Sequence, residues 1–155
     1  MNSAPLLLDH YFVTEIKLVA HSNYDTKKHH KYHIDNLRSD VKFLTNEKYP
    51  NVWQVPLTLK YIPQAGENVP YTFTINIIGF FEVDEKWPKA KIGSLVRINA
   101  PAILYSAARE IVASLSGRGP WGSVLLPSVN FIPKAALKRK RPMRRKRTSV
   151  DAGSK

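Results

Sequence analysis

Few residues in this 155-residue chain have types and spacings that could do covalent chemistry. His29, His30 and His33 form the densest titratable group. His29 and His33 stand four apart, which on a helix would put them on one face. A metal there would need a third ligand, and Lys27, Lys28 and Lys31 crowd the group with positive charge instead. The cluster reads as a solvated loop that gains charge near pH 6. Glu82, Asp84 and Glu85 cluster at a strand end, but nothing around them marks a pocket that would split their pKa values into acid and base. Ser114, Ser116 and Ser123 lack the Gly-x-Ser-x-Gly context of a nucleophile elbow. Gly117-Arg118-Gly119 lacks the third glycine and the preceding strand of a dinucleotide loop. The chain has no cysteine, so disulfides, thiolate metal sites and a thiol nucleophile are excluded. The residues point away from catalysis, and neither a metal nor a cofactor is expected.

What remains is apolar surface and charge. Trp53, Val55, Leu57, Tyr71, Phe73, Ile75, Phe80 and Trp121 could line a groove for another chain; the same residues serve equally well as ordinary core. The charge is unevenly placed. Of a net +12, residues 134–155 carry +9, from ten Lys/Arg and one Asp. Lys138, Arg139, Lys140, Arg141, Arg144, Arg145, Lys146 and Arg147 make that tail a candidate site for an anionic partner: nucleic acid, a membrane surface or an acidic protein. No aromatic is interleaved there, which speaks against stacking on single strands.

These residues must be positioned by a small set of elements. Two-residue alternation over 6–19, 37–44, 52–61 and 70–83 predicts four consecutive antiparallel strands. In the first, Phe12, Ile16 and Leu18 share a parity. Pro56 suggests an edge or a bulge in the third. Ile78, Phe80 and Phe81 make the fourth apolar on both faces, so both faces need cover. One helix follows, with Asn99 as its cap and Pro101 in its first turn. Its apolar stripe runs through Ile103, Leu104, Ala107, Ala108, Ile111, Val112 and Leu115, and glycine ends it. Arg109 and Glu110 break the stripe and suggest an ion pair or hydrogen bond across a helix interface. Residues 120–131 read as extended and apolar. A poor second helix is conceivable at 134–140, and the chain reads as disordered after Arg141. The expected organisation is one folded domain over 1–133 and a basic tail over 134–155. No stretch approaches the ~20 apolar residues of a membrane span, and the N-terminus lacks a basic leader, so a cytoplasmic protein is expected.

The stretch Asn99–Phe131 carries a resemblance. Ala100, Pro101, Tyr105, Ala108, Arg109, Glu110, Ser114, Arg118, Gly119, Leu126, Val129, Asn130 and Phe131 fall where the SecB family of protein-export chaperones places its first long helix and the crossing that ends in Val-Asn-Phe. Tyr71 through Val83 is similar to that family's fourth strand. The resemblance implies an α+β subunit, a four-stranded antiparallel sheet followed by a long helix. It implies a homotetramer, a dimer of dimers joined through the helices, so Tyr105, Ala108, Arg109, Ile111 and Val112 are the expected interface. It implies a holdase that needs no ATP and no cofactor, binds unfolded or precursor polypeptides, and delivers them to the translocase motor ATPase SecA. Some relatives serve toxin–antitoxin systems instead. Three positions match the family's acidic motor contacts; Glu15 is acidic, Val19 and Thr74 are not, and Lys17 lies between the first two. The alternative is a nucleic-acid-associated or toxin–antitoxin-linked relative whose tail binds the partner.

Overall fold

The computed structural model describes residues 4–132. The basic tail and the possible helix at 134–140 lie outside the described residues. Five antiparallel strands form one sheet: β1 (Leu6–Ala20), β2 (Leu37–Val41), β3 (Leu44–Asn46), β4 (Tyr49–Tyr61) and β5 (Tyr71–Val83). Their order is β1-β5-β4-β2, with β3 also paired to β4. One helix, α1 (Lys89–Ser116), lies across one face, and residues 120–132 return over that face without regular structure.

The expected α+β class and antiparallel sheet are present, with one strand more than expected. The predicted 37–44 strand breaks at Lys42–Phe43 into β2 and β3. The break sits opposite Pro56. Lys42 N donates to Pro56 O at 3.0 Å, so the Pro56 carbonyl faces the break and its missing N–H faces the same way. Pro56 therefore lies in an interior strand, at the one place where its outer neighbour is interrupted.

Alternation in β1 is also interrupted. Bulges between Leu8/His10 and Val13/Glu15 shift its register against β5. Phe12 pairs with Ile78, whereas Ile16 pairs with Ile75. Neighbouring strand positions alternate faces, so the second bulge puts Phe12 on the face away from α1 and Ile16 on the face toward it, although both are even-numbered.

The core lies between the odd-numbered residues of β4 and β5 and the helix. Val55, Leu57, Leu59, Ile75 and Ile77 are completely buried there, against Val96, Ala100, Leu104 and Ala108. Leu104 seats on Gly79, where a Cβ would come within 2.6 Å of its Cδ2. The helix starts eleven residues earlier than expected, with Pro88 and not Asn99 before its first turn. Asn99 is no cap; its Nδ2 donates to Leu95 O at 2.8 Å, and Pro101 lies inside the helix. The buried positions explain why the helix continues past proline: Ile92, Val96, Ala100, Leu104, Ala108, Val112 and Ser116 recur every four residues. Such a row drifts by about 40° per step around a helix of 3.6 residues per turn, so it suits a diagonal crossing of a twisted sheet. Packing along that row outweighs the hydrogen bond that Pro101 cannot make.

One side chain closes the molecule at the helix end. The Tyr71 hydroxyl donates to Ser116 O (3.1 Å) and accepts from Trp121 N (2.9 Å). The Tyr32 hydroxyl spans the Tyr71 backbone, donating to its carbonyl at 2.8 Å and accepting from its N–H at 3.2 Å. A Cβ on Gly119 would lie 2.6 Å from the Tyr71 hydroxyl, so only glycine lets the turn pass this close. Trp121 Nε1 then donates to His21 O at 3.0 Å.

Two outcomes are expected. Tyr71→Phe leaves the Ser116 carbonyl and the Trp121 N–H without their partner and should lower unfolding stability by about 1–3 kcal/mol in urea titrations. Tyrosine burial also sets an alkaline limit. Burial pushes the Tyr105 hydroxyl up to about 12 from an ordinary value of 10.0, with Arg109 opposing weakly, and Tyr32 and Tyr61 are raised chiefly by burial as well. Below pH 10.0 folded and unfolded chains both hold these protons. Above it the unfolded chain loses them first, so stability should fall as pH rises toward about 12. Tyr105→Phe should make that fall shallower in pH-dependent melting curves.

Candidate functional site

The residues expected to line a groove do not lie together. Val55, Leu57, Tyr71, Phe73 and Ile75 are buried in the chain's own core; of them Phe73 also lines a cleft with Lys17, Lys60 and Ile62. Phe80 lies on the opposite face of the sheet, where His10 stacks on it at 4.6 Å and Phe12 meets it edge-on at 5.9 Å. That pairing supplies part of the second cover that β5 needs. Trp53 and Trp121 are partly buried against the core on the helix side. The alternation that singled these residues out marks inward-facing positions, and the helix and crossing segment occupy them first.

The expected interface positions divide in the same way. Tyr105, Ala108 and Val112 are buried against the subunit's own sheet. Ile111 and Arg109 are partly exposed, and Glu110 is exposed. Arg109 makes no ion pair with Glu110 among the described residues. Its Nε donates to Leu126 O at 3.1 Å, so it holds the crossing segment. The Tyr105 hydroxyl does the same at Pro127 O, at 2.6 Å.

This anchoring builds the open apolar feature of the helix-side face. Val124 and Leu126 point inward, while Ser123, Leu125, Ser128 and Asn130 point out. Leu125 is 74% exposed and Ile34, across the cleft system, 51%. A cleft of about 240 Å³ is lined by His30, Lys31, Tyr32, Leu125 and Pro127. Further along the segment a second, of about 140 Å³, is lined by Ile34, Leu37, Ser39, Leu59, Tyr105, Val129 and Phe131. The second opens beside β2, the outermost strand of the sheet, whose only partner among the described residues is β4. An apolar cleft next to a free strand edge can take apolar side chains in its pockets and hydrogen-bond a backbone at its rim, with little demand on sequence. The sequence marks 120–131 as extended and apolar but not that Leu125 faces out, and Ile34 stands in a stretch that reads as a polar loop.

The chemistry-bearing groups are used structurally. His30 Nδ1 lies 2.6 Å from the Tyr24 hydroxyl, and the His33 N–H donates to the Tyr61 hydroxyl at 3.2 Å. Glu67 holds the Tyr61 hydroxyl and the Asn36 amide (2.7 Å). Asp84 accepts from Lys86 N at 2.8 Å in the turn before α1. Among the described residues no group of three or more His, Asp or Glu is placed to hold a metal ion, and no helix is long and apolar enough to cross a membrane. Glu15, Val19 and Thr74 all lie on the sheet face away from α1, as their pairing with Asn76, Thr72 and Lys17 requires.

Comparison with known proteins agrees with the architecture. The sequence matches the family described as "Preprotein translocase subunit SecB" over residues 14–139. Protein-export protein SecB of Acidithiobacillus ferrooxidans is 35% identical over 78 residues, which is 50% of this chain and 52% of that protein. The chain thus spans about half the length of that relative. The SecB of Psychrobacter arcticus is 27% identical over 127 residues, covering 81% of this chain and 82% of that one. Among solved structures, the Mycobacterium tuberculosis SecB-like chaperone Rv1957, in complex with a ChAD peptide from the HigA1 antitoxin, superposes with a TM-score of 0.60 at 14% identity, over 90% of this chain and 94% of that one. The helix crossing and its return segment, the sheet order and the sequence match converge: this chain belongs to the SecB family.

Proposed function

We propose that the protein is a chaperone that holds non-native polypeptides without ATP, along the cleft between the crossing segment and β2. The observation that carries this reading is a largely apolar cleft beside a free strand edge, with a second, mixed cleft further back along the same segment. Burying a leucine-sized side chain in such a cleft is worth about 1.5–3 kcal/mol, and several along an extended chain add without fixing one register. The solved structure of the SecB-like chaperone holds a peptide, which supports a polypeptide segment as the ligand. Delivery for export, to SecA or to another receiver, and service to a toxin–antitoxin pair are two destinations for the same holding activity.

Assembly follows from the edges. β1 is a 15-residue edge strand, and Tyr11 and Ile16 on its helix-side face are 39% and 45% exposed. Long, apolar edges pair. A second copy joined there would extend the sheet, and two such pairs packed through the outer sides of α1 would make the tetramer. Ile111 remains a candidate for that contact; the inward residues Tyr105, Ala108 and Val112 do not.

The double variant Leu125→Asp/Ile34→Asp puts charge into the cleft at two exposed positions and should leave folding intact. It is expected to raise at least tenfold the concentration needed to prevent aggregation of a permanently unfolded lactalbumin. Unchanged holding by a folded double variant would overturn the cleft assignment. Light scattering on the full chain should give close to four times 17.6 kDa. Removal of 134–155 should preserve that stoichiometry and the holding activity; if holding is lost with the tail, the reading in which the tail binds the partner takes its place.

A further inference from the structure

The face of the sheet away from α1 carries its charges in rows. The register places Lys17 opposite Thr74, Thr74 opposite Lys60, and Lys60 opposite Arg38. Three exposed cations therefore stand in one line across four strands, with Lys60 and Arg38 on adjacent strands about 4.8 Å apart. Like charges directly opposite destabilise a sheet. None of the three forms an ion pair among the described residues. The carboxylates of the next row, Glu15 and Asp40, stay apart from them, and Glu15 accepts from the Asn76 amide at 2.6 Å.

An open cleft of about 310 Å³ runs along this cationic row. Lys17, Lys60, Thr72 and Thr74 supply its polar lining, and Val19 and Ile62 an apolar wall, 41% and 46% exposed. We propose that this cleft is a docking site for an acidic polypeptide segment, with carboxylates on Lys17 and Lys60 and a neighbouring apolar side chain against Val19 and Ile62. The unpaired cationic row needs negative charge, and the wall needs an apolar group beside it. A nucleic-acid backbone fits less well. Its phosphates would continue past the row onto Glu15 and Asp40, and it has nothing to place on the apolar wall. The site faces away from the client cleft and does not rest on its assignment.

The test uses the full-length protein and three fluorescent probes: a peptide of alternating Glu and Leu, a peptide of the same length with Gln for Glu, and an oligothymidylate of equal charge to the first. Affinities are read by anisotropy at moderate salt. The proposal expects the Glu/Leu peptide to bind, and Lys17→Glu/Lys60→Glu to weaken it at least tenfold. Lys17→Gln/Lys60→Gln should fall between, and Ile62→Ser should weaken the Glu/Leu peptide while leaving oligothymidylate unchanged. Melting curves should show each variant folded, the two charge variants at or above the parent because a like-charge contact is relieved. Because the basic tail is present in every variant, binding that the charge reversal leaves untouched belongs to the tail and overturns the proposal. Equal loss of the oligothymidylate and the Glu/Leu peptide, with no effect of Ile62→Ser, would show a general anion surface and overturn it too.

Discussion

The hydroxyl of Tyr71 is where the fold's three parts are joined. It lies at the start of β5, donates to the last turn of α1 and accepts from the first residues of the crossing segment. A sheet and one helix can be packed by apolar contact alone, which is non-directional. The direction in which the chain leaves the helix is fixed by hydrogen bonds, which are directional, and they are concentrated here. The Ser116 hydroxyl adds to the same knot by accepting from Val124 N at 2.9 Å. The absence of a Cβ on Gly119 is what allows the turn to lie against the tyrosine ring.

Downstream of that point, the candidate cleft is a consequence of where the crossing segment is sent. The segment passes over the core instead of away from it because Tyr71, Arg109 and Tyr105 each hold it in turn. Its inward residues complete the core and its outward residues face solvent beside β2. The same act that closes the hydrophobic interior thus builds the apolar surface outside it.

Much of this was legible in the sequence. Strand alternation gave the sheet, the helix ended at Ser116 as its glycines indicated, and Asn99–Phe131 carried the family resemblance. Three things were not legible, each for a physical reason. The helix start was hidden by Pro101, because the rule that places proline in a first turn concerns one hydrogen bond, whereas a row of seven buried side chains decided the outcome. The face of Phe12 was hidden because a bulge changes parity without any marker residue of its own. The candidate cleft was not singled out because periodicity identifies which side chains point inward but not what covers them. Val55 and Phe73 point inward to the helix; Leu125 and Ile34 form the open surface, and nothing in their local pattern distinguishes them from loop residues.

Past Trp121 and Ser123, whose side chains donate to His21 O and Ala113 O, the crossing segment is held by its main chain. Arg109 and Tyr105 grip carbonyls, and Tyr71 grips an N–H; none of the three contacts a side chain of the segment through these bonds. A carbonyl is present whatever residue bears it. The outward positions 125 and 128 can therefore be exchanged without disturbing the attachment, whereas Ser123 also ties the segment to the helix through its hydroxyl, which donates to Ala113 O at 2.8 Å. The surface outside the segment can thus change in character while the architecture stays, so chains with different outward faces can share one scaffold at low sequence identity.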